Sequence, residues 1–108
     1  MPTLIKPTEQ EIEQKIQEVV DAIMRDMRPL HFADVVRYGA FVAEGIPVPA
    51  AVMSAFYQTF NLFTQTRVPS YRLFVALLKD DPKAESRIED QIASAAYTRV
   101  LTRQIEVK

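Results

Sequence analysis

The residues able to do chemistry near neutral pH are few. The chain of 108 residues has one histidine, His31, and no cysteine. Thiolate nucleophiles, thiolate zinc sites and disulfides are therefore excluded. His31 and Asp34 stand at i,i+3, a spacing that can orient an imidazole, but no recognisable nucleophile motif places a serine beside them. Glu9, Glu11 and Glu13 form a run of carboxylates whose i,i+2 spacing turns them apart on a helix, which disfavours chelation. With Gly39 and Gly45 as the only glycines, neither a dinucleotide-binding nor a P-loop glycine pattern can be built. The expectation is a protein without catalytic or metal residues, requiring no cofactor.

The elements that must position the remaining side chains are set by seven prolines, at 2, 7, 29, 47, 49, 69 and 82. Proline is disfavoured inside a helix and accepted in its first turn, so these positions divide the chain into segments of helical length. None shows sustained period-2 alternation. The pattern predicts an all-α, compact bundle of about five helices, near 8–27, 29–44, 49–65, 69–79 and 82–104, in a single domain over 1–108. Thr8 and Glu11 have the spacing of a capping box. Ile12, Ile16, Val19, Val20, Ile23, Met24 and Met27 fall within an arc of about 140° on the first helix. Glu11 with Lys15 and Asp21 with Arg25 are set at i,i+4 to pair along its outer side.

The second helix turns Phe32, Val35, Val36, Gly39, Val42 and Ala43 inward, with Gly39 allowing a close helix approach and Gly45 supplying a left-handed C-cap. The third buries Val52, Met53, Phe56, Tyr57, Phe60 and Phe63. In the fourth, Leu73, Phe74, Leu77 and Leu78 are the apolar positions. Asp81 is the expected N-cap of the fifth helix, where Ile88, Ile92, Ala96 and Val100 step by four and Tyr97, Leu101 and Ile105 continue the stripe on an adjoining face.

Charge is spread unevenly: residues 1–27 carry −3, 28–66 carry 0 and 67–108 carry +2. The acidic first helix and the basic end of the fifth can pair, within a chain or between two. From Gly39 to Thr66, 28 residues contain one charge, Glu44. Interface cores are depleted in charge and enriched in aromatic residues and methionine. On the third helix Ser54, Gln58, Asn61 and Gln65 form a polar stripe without a charge. Together with Tyr57 they are the expected protein interface, most simply that of a homodimer.

Two other readings compete. A helix-turn-helix using the fourth helix would present Arg67, Ser70, Tyr71 and Arg72 to DNA from its N-terminal end, although a sequence pI of about 5.8 is low for a nucleic-acid domain. Alternatively Phe56, Phe60, Phe63 and Phe74 could line a pocket for a small apolar ligand. The first reading is a non-enzymatic protein interaction module, a small regulator or adaptor. The opening residues show no secretory signal and no stretch reaches membrane-spanning length, which predicts a cytoplasmic protein.

Overall fold

A computed structural model describes residues 6–106 of the chain as five helices and no strand. They are α1 (Glu9–Asp26), α2 (Pro29–Ala43), α3 (Ala50–Arg67), α4 (Pro69–Ala76) and α5 (Pro82–Glu106). None is long and apolar enough to cross a membrane. The opening Met1–Ile5 and the side chain of Ile105, assigned above to an adjoining face of the fifth helix, lie outside the described set.

Each helix begins and ends where backbone hydrogen bonding dictates. The capping box forms at α1: the Thr8 N–H donates to Glu11 Oε1 at 2.8 Å, and the Glu11 N–H donates to Thr8 Oγ1 at 3.1 Å. At the end of α2, Gly45 takes φ +70°. Its N–H donates to the Val42 carbonyl, and the Ile46 N–H reaches back to the Phe41 carbonyl. This pair of bonds is the Schellman arrangement, which satisfies carbonyls that the last turn leaves open. Asp81 caps α5 by accepting from the Ala84 N–H at 3.2 Å.

The surface ion pairs differ from the expected i,i+4 set. Lys15 pairs with Glu18 at 2.8 Å and Arg25 with its neighbour Asp26 at 3.2 Å, while Asp21 is taken by Arg99 of α5 at 2.7 Å. Arg99 also donates to Gln17. The acidic first helix and basic fifth helix therefore meet within one chain at this point.

The core is built from Val19, Val20 and Ile23 of α1, Val35 and Tyr38 of α2, Phe56 and Phe60 of α3, Tyr71 of α4, and Ile88, Ile92, Ala93 and Ala96 of α5. The largest helix contact is α2 against α5. It is close because Gly39 lies directly on the α5 backbone, where an added Cβ would stand 2.1 Å from the Ala93 carbonyl oxygen. Two expected core positions on the middle helices are instead surface: Ala43 and Met53 are exposed. Met53 lies in the first turn of α3, one turn before the buried Phe56.

Candidate functional site

The most concentrated chemistry lies where α2, α3, α4 and α5 converge. Tyr38 stacks on Phe56 with ring centroids 4.1 Å apart and an interplanar angle of 4°. Phe56 continues to Phe60 at 5.3 Å, and Phe60 meets Tyr71 edge-on at 5.5 Å. Offset and edge-to-face contacts of this kind stabilise aromatic layers beyond their buried area. The Tyr38 hydroxyl donates to Asp90 Oδ1. Burial, reinforced by this acceptor, pushes the Tyr38 pKa up.

Tyr71 is fully enclosed, and its hydroxyl has no hydrogen-bond partner among the described residues. Burial raises its pKa too, with Glu89 and Glu85 adding to the effect. Glu89 is 7% exposed. Desolvation, followed by repulsion from Glu85 and Asp90, lifts its carboxyl to about 7, against a partial offset from Arg72. No group of three or more potential metal ligands occurs among the described residues.

The four residues named for an apolar pocket divide between the core and the surface. Phe56, Phe60 and Phe63 are buried core, filling the space they were expected to leave. Phe74 is half-buried, with the Lys15 ammonium 5.7 Å from its ring centroid. The cavities found lie elsewhere and use none of the four.

The four residues assigned to DNA are also dispersed. Tyr71 points into the core and has no surface to offer. Ser70 is held at α1, accepting from Lys15 at 3.3 Å and donating to Glu18 at 3.2 Å. Its neighbour Glu18 is an ionised carboxyl, held low chiefly by the Lys15 hydrogen bond, and would repel a phosphate. Arg72 is half-buried and donates to Asn61 Oδ1 at 3.5 Å, whereas Arg67 is exposed at the far end of α3.

The expected interface residues divide. Ser54, Gln58 and Gln65 are exposed on the side of α3 turned away from Phe56, Phe60 and Phe63. Leu62, 58% exposed, stands beside them. Asn61 is half-buried at the seam with α4, and Tyr57 belongs to the aromatic layer, its ring 5.2 Å from Phe56 and 6.0 Å from Tyr38. Across the Asn61–Arg72 seam, α4 presents Leu73 at 75% exposure and Leu77 one turn later. These leucines read as core in the sequence because they share a spacing with Phe74 and Leu78. The eight-residue α4 turns Tyr71 and Val75 inward instead, and Leu78, two residues past its end, is buried as well.

His31 is exposed, and Asp34 accepts from the Thr59 hydroxyl at 3.2 Å, so the two form no oriented pair. A second surface had no forerunner in the sequence reading. Ile23, Met24 and Met27 of α1, Pro29 and Phe32 of α2, and Val100 and Arg103 of α5 line an open apolar trough of about 480 Å³. Its signal was present in Met24 and Met27, which end the α1 stripe one turn beyond the buried residues. Compared with known family models, curated proteins and solved structures, the chain matches none.

Proposed function

We propose that the protein is a cytoplasmic, non-enzymatic interaction module, a small regulator or adaptor that self-associates through the outer face of α3 and the adjoining α4. The observation that supports this most is an exposed α3 face carrying Ser54, Gln58, Leu62 and Gln65 without a charge. An ordinary solvated helix face is laced with Lys, Glu, Arg and Asp, and interface cores are depleted in them. In a twofold interface each residue lies near its own counterpart, so a charged face repels itself and an uncharged one does not. Leu73 of α4 and Leu77 at its end add exposed apolar area that has no cover within the monomer.

Sedimentation of the wild type and of a Gln58→Glu, Leu62→Glu variant tests the reading. The wild type should sediment as a dimer at micromolar concentration. The variant should be monomeric with unchanged helical circular dichroism, because both positions are exposed and Glu is a good helix former. Buried unpaired like charges would cost several kcal/mol at the interface. A wild-type protein that stays monomeric near 100 µM, or a variant that still dimerises, counts against it.

A further inference from the structure

The trough between α1, α2 and α5 shares no residue with the face just described and has a different character. Its floor is apolar: Ile23 is buried, and Met24, Met27, Phe32 and Val100 are half-buried. At its edge, Leu30 is 85% and Leu101 40% exposed, each next in the chain to a lining residue. Its volume of about 480 Å³ lies within the range of roughly 300–1,000 Å³ usual for ligand pockets, but those bury most of their ligand. An open trough suits a row of side chains. Methionine is unbranched and adapts its shape to what it covers, which makes it common on surfaces that accept helices.

The rim carries two arginines beside the Arg25–Asp26 pair. Arg103 lines the trough, and Arg28 stands in the chain between two lining residues, Met27 and Pro29. Neither pairs with a carboxylate among the described residues, whereas the nearby Arg25 and Arg99 are taken by Asp26 and Asp21. Arg28 is also the N-cap of α2, and no side chain caps that helix. The N–H groups of Leu30 and His31 thus end the helix unpaired, at the pole where its dipole favours negative charge. No acidic residue lines the trough.

We propose that this trough docks an amphipathic helix of another protein, with apolar side chains at i, i+3, i+4 and i+7 on Met24, Met27, Phe32 and Val100, and flanking carboxylates meeting Arg28, Arg103 and the α2 N-terminus. Strand addition by a peptide is disfavoured because it needs a sheet edge, and the described residues contain no strand. The chain's own acidic helix cannot serve from a second copy, since the apolar side of α1 is already buried in its own core. With the α3–α4 face engaged in self-association, this second surface would let the dimer carry a partner.

A display library of helical peptides with fixed apolar positions and randomised flanks, selected on the full chain, identifies the occupant by composition. Acid-flanked sequences should be enriched. Their affinity should fall about tenfold or more in an Arg28→Glu, Arg103→Glu variant, because truncating or reversing close charge pairs across an interface has effects of this size. Both positions are exposed, so the variant retains the fold. In methyl spectra a selected peptide should shift Met24 and Met27 and leave Met53, which lies on α3, in place. Enrichment of basic or uncharged flanks, no enrichment at all, or binders that shift Met53 instead would each overturn the proposal. So would Met24 and Met27 shifts that follow protein concentration without peptide, which would assign the trough to a second copy.

Discussion

Glu89 concentrates the chemistry of the interior in one side chain. It is a carboxyl with 7% exposure, repelled by Glu85 and Asp90, with Arg72 the one cation that moderates it. Its folded pKa of about 7 lies above the ordinary 4.5. Between those values the folded protein holds a proton that the unfolded chain has lost. Stability from this group is therefore complete below about pH 4.5, declines as pH rises and is lost above about pH 7, with a ceiling of about 3 kcal/mol. Glu89→Gln keeps the shape and removes the titration. Urea unfolding at pH 5, 6, 7 and 8 should show the wild type losing stability relative to the variant as pH rises, and parallel curves would refute the assignment. No residue pattern marks this group, because a glutamate on a helix rich in charge reads as solvated. Only tertiary burial, which leaves it 7% exposed, removes its water.

At the scale of elements, the α2–α5 crossing holds the bundle together, and it rests on the absence of a side chain at Gly39. The Cβ of an alanine there would stand 2.1 Å from the Ala93 oxygen and 2.6 Å from its carbon, both backbone atoms that cannot rotate away. The two helices must separate. Gly39→Ala gains up to about 1 kcal/mol in helix propensity, against an overpacking cost of about 1–3 kcal/mol or more. A net loss of stability is expected in denaturant unfolding, and a more stable variant would show that the helices do not meet there. This feature was legible in the sequence, as were the capping box at Thr8, the Gly45 C-cap and all five helices, because proline, glycine and capping chemistry are local. The α1 partners were not. Asp21 sits four residues before Arg25 but binds Arg99, since a guanidinium brought across by tertiary packing satisfies it at 2.7 Å. The short α4 misled for the same reason: a spacing of four marks Leu73 and Leu77 as one face, and only the positions of α1, α3 and α5 decide that this face is the outer one.

The whole molecule, 56 Å long and 29 by 25 Å across, carries the two proposed surfaces on different helices. In the proposed reading, the uncharged α3 side pairs with a second copy and the trough flanked by Arg28 and Arg103 receives a helix. Periodicity separated polar from apolar positions, but exposure depends on which helices cover which. That is why Ser54, Gln58 and Gln65 could be named in advance and Leu62, Leu73 and the trough could not. The absence of native cysteine makes the arrangement directly measurable with a single spin label per chain. Gln58 lies on the α3 face, whereas Gln91 is exposed on α5, on the opposite side of that helix from the buried Glu89. Dipolar distances should be measured between the two labels of a dimer carrying Gln58→Cys and, separately, Gln91→Cys. Helices packed across an interface have axes about 8–10 Å apart, so labels at 58 should lie within roughly 30 Å of each other and those at 91 distinctly farther apart. Labels closer at 91 than at 58, or no dipolar coupling from either position at concentrations where a dimer is expected, would contradict the assignment of α3 as the self-association face.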